Sequence, residues 1–184
     1  MAGTAFSTAN WTGYITHAAD ITHATAGLTA FSLIIDIAEL VADDEAASSD
    51  WVGAVQSDGG DIRCTDESDT ELPFDLIDWD YNSGSPTGLI RVKRSLTANT
   101  STQKVRVWVG TTGTAVAYTA SETYGSDNAY DADWEAYWPN GGGTDRTANN
   151  SDMTGYGSLS VGDSTGQIGV ATSHNGSTQY SQLG

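Results

Sequence analysis

Residues 59–110 read GGDIRCTDESDTELPFDLIDWDYNSGSPTGLIRVKRSLTANTSTQKVRVWVG, and this stretch decides the fold class. Four short runs, 61–65, 72–80, 89–94 and 103–110, alternate apolar and polar residues and are separated by turn clusters. Period-two alternation is the mark of a strand with one buried face. Within 72–80, Leu72, Phe74 and Leu76 keep the period, and the Ile77–Trp79 pair breaks it, which predicts a bulge. Residues 82–88 (NSGSPTG) are a turn signal. The runs 89–94 and 103–110 flank the polar loop SLTANTST, a spacing that predicts an antiparallel hairpin.

Working outward, WTGYITHAADI (11–21) alternates loosely and predicts a first strand. FSLIIDIAELV (31–41) is the strongest apolar run; Phe31, Leu33, Ile35 and Ile37 favour a strand, while its tail is equally compatible with a helix. Residues 42–50 form an acidic loop or helical turn, and 51–55 a short helix or edge strand. Beyond 111 the pattern weakens to an aromatic run (134–138, WEAYW), a Gly/Asn loop (139–158) and one weak strand (167–172). Residues 1–10 read as an N-terminal arm. The expected fold is all-β: one antiparallel β-sandwich domain over 11–184, of the jelly-roll type, with long loops.

The chain has 184 residues, with 21 Gly, 6 Trp and 8 Tyr but 3 Pro, a composition suited to short strands joined by turns. A formal net charge of −17 argues against nucleic acid or an anionic membrane as partner. Cys64 stands alone, which excludes an internal disulfide or a thiolate metal cluster, and its place in an alternating run predicts a small buried hydrophobe. The start, MAGTAFSTANW, lacks the basic and apolar regions of a secretory signal. No run approaches the roughly 20 apolar residues of a membrane-spanning helix.

The central stretch resembles a bacterial and phage domain of unknown function that sits beside laminin-G-like jelly rolls in surface and virion proteins. The residues that carry the resemblance are Gly60-Asp61-Ile62-Arg63-Cys64-Thr65-Asp66, Leu72-Pro73-Phe74, Asp78-Trp79, Ile90-Arg91-Val92-Lys93 and Val107-Trp108-Val109-Gly110. Residues 134–139, 145–152 and 174–180 look like a truncated start of the neighbouring laminin-G-like domain. Cys64 replaces the family's aromatic, Asp69 stands at its turn glycine and Arg94 at its proline. The resemblance implies a concanavalin A-like sandwich. With the absent signal sequence, it implies a non-enzymatic virion structural protein, a capsid decoration or tail-associated protein on the virion surface. Its expected partners are the major capsid or tail protein, further copies of itself, and host-surface glycans. The alternative is a carbohydrate-binding module of a bacterial surface or secreted, extracellular protein.

Three constellations are candidates for chemistry. Arg91, Lys93, Arg94, Lys104 and Arg106 fall within sixteen positions. If 89–94 and 103–110 pair, alternation sets Arg91, Lys93, Lys104, Arg106 and Trp108 on one sheet face, a cationic protein-docking patch on an acidic protein. The bland alternative is a solvated face paired with nearby carboxylates. Second, Trp134, Tyr137 and Trp138 with Asn149 and Asn150 have the residue types of a glycan site, aromatic faces beside amides; packing is the competing explanation. Third, Asp131, Asp133 and Glu135 share one face of an extended strand. The array resembles the acidic triplet of retaining glycosidases but lacks supporting residues, so catalysis is not expected; calcium is the candidate ligand, and no cofactor is otherwise called for. Asp61 and Arg63, two apart, read as a structural ion pair or a turn brace. The three histidines are scattered, and no nucleophile–base, P-loop or zinc spacing is present.

Overall fold

The computed structural model describes residues 1–19, 26–43, 48–82, 85–98, 103–111, 114–130, 133–134, 136–138, 143–156, 164–165, 170–175 and 177–183. The chain forms two compact units, Met1–Asp131 and Ala132–Gly184. It is mostly β, and among the described residues every strand pairing is antiparallel.

The first unit contains β1 (Trp11–Ala19), β2 (Leu28–Asp36), the helices α1 (Ile37–Asp43) and α2 (Ser48–Ala54), β3 (Arg63–Thr65), β4 (Glu71–Leu72), β5 (Phe74–Asn82), β6 (Ser85–Leu96), β7 (Gln103–Thr111) and a 3-10 turn at Ser126–Ala129. One sheet has the order β1-β7-β3-β4 and the other β2-β6-β5. Both give side chains to a single core: Ile15, Cys64, Val105, Val107 and Val109 from the first, Ile35, Ile90 and Val92 from the second, with Ile37, Leu40, Trp51 and Val55 from the helical segment. The alternation of VRVWV in β7 is thus explained: its three valines point inward and are fully buried.

Local chemistry sets the element ends. The 31–41 run divides where Asp36 caps α1, its Oδ1 accepting from Ala38 N (2.8 Å) and Glu39 N (3.2 Å). The helical alternative for its tail is the one realised. Between β3 and β4, Asp66 Oδ1 accepts from Ser68 N and Thr70 N. Asp69 there has φ +62°, so it occupies a glycine-type conformation that aspartate tolerates. Pro73 separates β4 in one sheet from β5 in the other. The bulge falls where the sequence places it: the β5–β6 register shifts between Ile77 and Asp80, with Asp78 at φ +53° and Gly88 at φ +132°. A Cβ on Gly88 would lie 2.9 Å from the carbonyl oxygens of Ile77 and Asp78, so only glycine fits. The NSGSPTG turn is shorter than expected, because β6 already begins at Ser85.

The hairpin expectation is corrected. β6 pairs with β2 and β5, β7 pairs with β1 and β3, and the two belong to different sheets. Local alternation identifies the strands, but long-range side-chain fit chooses their partners.

The second unit contains β8 (Met153–Tyr156) paired with β11 (Tyr180–Leu183), and β9 (Ser164–Thr165) paired with β10 (Val170–Ala171).

Candidate functional site

The predicted docking residues do not share a face, because β6 and β7 are in separate sheets. Arg91 is 8 % exposed and Trp108 7 %. Both side chains are nonetheless covered, Trp108 by the N-terminal arm and the neighbouring strand β1, and Arg91 by the segment that ends at Tyr130. Over Trp108 lie Phe6 and Tyr14, with ring centroids at 5.3 and 4.3 Å, and its indole N–H donates to Thr65 Oγ1 (2.9 Å). Over β6 lies Tyr130: the Arg91 guanidinium is 4.8 Å from its ring, Lys93 Nζ donates to its carbonyl (2.8 Å), and its hydroxyl donates to Asp75 Oδ2 (2.7 Å).

The other cations tie segments together. Arg94 of β6 donates across to the Lys104 carbonyl of β7 and pairs with Glu67 at 3.2 Å. Burial pushes the Glu67 carboxyl up, but the Lys104 N–H, its own backbone N–H and the Arg94 guanidinium together hold it below the ordinary value. Arg106 meets Asp69 and stands 4.9 Å from the Tyr14 ring. Lys104 is exposed.

Arg63 is the most heavily used of these groups, well beyond the ion pair or turn brace that its spacing from Asp61 predicts. It is 1 % exposed, yet it donates to the carbonyls of Thr4 (2.6 and 3.2 Å), Gly60 (3.0 Å), Ile62 (2.6 Å) and Val116 (2.9 Å). It lies 4.3 Å from the Tyr118 ring and 5.3 Å from Trp11, with Glu71 at 3.7 Å. Its ion-pair partner is therefore Glu71 and not Asp61. Asp61 is a brace of its own, accepting from Gln56 N (2.9 Å) and Gly110 N (2.7 Å). Burial holds the Glu71 carboxyl above its ordinary value, against the opposing Tyr118 hydrogen bond and Arg63 charge. Burial, with the Glu71 carboxylate, pushes the Tyr118 phenol up to about 12. Through this node the arm is docked, with Thr4 N donating to the Val116 carbonyl and Val116 N to Thr4 Oγ1, both at 2.9 Å.

The aromatic and amide residues of the second unit fall in one folded loop. Asp145 organises it: Oδ1 accepts from Tyr137 N and Thr147 N (both 2.9 Å), and Oδ2 from Thr147 Oγ1 and Ser151 N (both 2.8 Å). Burial pushes the Asp145 carboxyl up, but these four donors outweigh it and hold it below the ordinary range. Asp145 N in turn donates to Asp152 Oδ1 (2.8 Å).

On this frame the Asn149 side-chain amide donates to the Trp134 carbonyl and the Trp138 indole to the Ser151 carbonyl, each at 2.9 Å. Trp134 and Tyr137 meet edge to face at 5.6 Å. Asn150, at φ +53°, turns its amide onto the Ala148 carbonyl (3.0 Å). The three aromatic rings are half-buried, and both asparagines are exposed. Trp138 also lines a cavity of about 290 Å³ with Met153, Ser181 and Gln182. The sequence did not single out these last three, since strands β8 and β11 are too short to show periodicity. The DRT triplet at 145–147 was the available signal for Asp145, an Asp followed two residues later by a hydroxyl that returns to it.

Of the candidate calcium ligands, Asp133 is exposed, and Asp131 and Glu135 lie outside the described residues. Among the described residues no group of three or more His, Cys, Asp or Glu side chains is placed to hold a metal ion. Cys64 is fully buried, and burial, then the Glu71 charge, pushes its thiol well above the ordinary range. No family model matches the chain, and no curated protein or solved structure is significantly similar to it.

Proposed function

We propose that this chain is a non-enzymatic, lectin-like protein that binds carbohydrate through the 134–153 loop of its second unit. One observation carries the reading: Trp134, Tyr137, Trp138 and Asn149 are tied into a single loop in which Asp145 and Asp152 accept from the loop's own backbone. Asp145 cannot act as an acid or base while it accepts four hydrogen bonds. Its work is to hold aromatic faces beside exposed amides, the pairing that suits a sugar ring with one C–H-rich face and a hydroxyl rim. The cavity beside Trp138 supplies a hydroxyl at Ser181 and an amide at Gln182. The two sheets of the first unit, which share one core, support reading it as a concanavalin A-like jelly roll.

The setting in this reading is a virion surface, as a capsid decoration or tail-associated protein. It rests on the resemblance of residues 59–110. Arg91, Lys93, Arg94 and Arg106 serve here as internal ties, so the reading places attachment to a particle elsewhere than on a patch of Arg91, Lys93, Lys104, Arg106 and Trp108.

A glycan array probed with the intact chain, alongside Trp134→Ala and Trp138→Ala, tests the proposal. Binding to a defined set of glycans, weakened about tenfold or more (about 1.4 kcal/mol) by either substitution, is expected. No binding to any glycan, or binding that both substitutions leave unchanged, overturns it.

A further inference from the structure

Among the described residues of the first unit, the sheet edges other than β2 are protected. β5 carries Asp75, Asp78 and Asp80 and is bulged. β4 is two residues long. At β1, α2 packs against the strand. Charge, shortness, bulges and covering elements are the usual devices against unwanted strand pairing.

β2 is the exception. It is the outer strand of the β2-β6-β5 sheet, and LTAFSLII, residues 28–35, holds no charged residue in a chain of net charge −17. Leu28, Phe31 and Ile34 are 39, 40 and 46 % exposed. A bulge interrupts only its start, between Leu28 and Phe31; from Phe31 to Asp36 the register against β6 is regular. Among the described residues no strand pairs with its other edge.

We propose that two copies of this chain pair antiparallel along β2 about a twofold axis at Leu33, joining two three-stranded sheets into one of six. An antiparallel match of identical strands is isologous, so the edge complements itself. With Leu33 opposite Leu33, Phe31 faces Ile35 and Ser32 faces Ile34, which gathers the apolar side chains of both copies. Electrostatics favours a second copy over a charged partner. Two copies repel at long range, so they can meet only where no acidic group approaches another. In this register each Asp36 lies opposite Ala30 of the other copy. The two Asp36 residues are then about 20 Å apart at roughly 3.4 Å per residue, well beyond the screening length of about 8 Å. A basic partner would be drawn instead to the acidic surface, since residues 28–35 offer it no carboxylate.

The test is the solution mass of the intact chain by light scattering up to about 100 μM, with hydrogen exchange of residues 28–36 over the same range. A species of twice 19.3 kDa is expected, with exchange in β2 slowing as concentration rises. The double variant Phe31→Glu with Ile34→Glu should weaken the dimer at least tenfold, whereas Asp80→Lys on the opposite edge should not. The exchange measurement needs no variant and decides the matter even if the double variant fails to fold. A dimer that survives the double variant, or whose protection maps away from β2, overturns the proposal. So do monomers at the highest concentration: with protected β2 amides another segment already covers the edge, and with unprotected ones the edge is left for a different protein.

Discussion

Replacing Arg63 by methionine keeps the length of the side chain and removes its charge and its hydrogen bonds. Four backbone carbonyls, those of Thr4, Gly60, Ile62 and Val116, lose their donor. A hydrogen bond to a charged group contributes about 1.5–3 kcal/mol net. These contributions do not simply add, because burying the guanidinium itself costs several kcal/mol. Breaking a buried, partnered charge by removing one side costs about 3–5 kcal/mol. The lower end applies here, since the Thr4 and Val116 carbonyls lie on the docked arm and its neighbour and can regain water when the arm lifts. A loss of about 3 kcal/mol is a large share of the 5–15 kcal/mol typical of a domain. At a urea dependence of about 1–3 kcal/mol per molar, the unfolding midpoint should fall by about 1–3 M. Arg63→Lys should recover little of this, because an ammonium cannot fork between Thr4 and Val116.

The same substitution removes a charge that lowers the Glu71 pKa, which burial already holds above the ordinary value of 4.5. A carboxyl raised on folding contributes stability below its unfolded value and loses it as pH rises through the folded value. The deficit of the variant should therefore grow as pH rises above that range. Urea unfolding gives the magnitude, and hydrogen exchange of residues 3–6 reports arm release. A loss below about 1 kcal/mol, or an arm equally protected in the variant, would refute the reasoning.

Gly88→Ala forces a Cβ against the Ile77 and Asp78 carbonyls in a left-handed backbone, and should cost about 1–3 kcal/mol in urea unfolding; an unchanged midpoint would remove the bulge argument. Cys64, buried with its thiol pKa raised, should resist a colorimetric thiol reagent in the native protein and react fully once unfolded. Asp145, whose pKa is lowered on folding, contributes stability above its ordinary value of 3.8 that is lost as pH falls through the lower folded value. Asp145→Asn should therefore remove an acid transition followed in the NMR signals of the Trp134 and Trp138 indole N–H groups of the intact chain; an identical acid profile in the variant would exclude that role.

What could be read from the sequence follows the range of each interaction. The alternation of 103–110 and the Ile77–Trp79 bulge are local patterns, and both stand in the structure. The expected β6–β7 hairpin does not form, because strand partnership depends on contacts far apart in sequence. Alternation set Arg91 and Trp108 on outer faces correctly. It could not show that Phe6 and Tyr130 would cover those faces, because the arm and residues 114–130 have no periodicity, nor that β1 would pair with β7 and bring Tyr14 beside Trp108. In the second unit the relevant aromatic and amide residues were recognisable by type. The Asp145 frame that unites them rests on single hydrogen bonds that no apolar pattern encodes.

The central claim is that the second unit binds sugar through its tryptophans. The chain's six indole N–H groups give separate signals in a heteronuclear NMR spectrum, and titration with a saccharide panel tests the claim most directly. Trp11, Trp51, Trp79 and Trp108 belong to the first unit and not to the 134–153 loop, so on this account their signals should hold still. The account predicts saturable shifts of the Trp134 and Trp138 signals with at least one neutral sugar. Shifts confined to the first-unit indoles, or none with any saccharide, would contradict it.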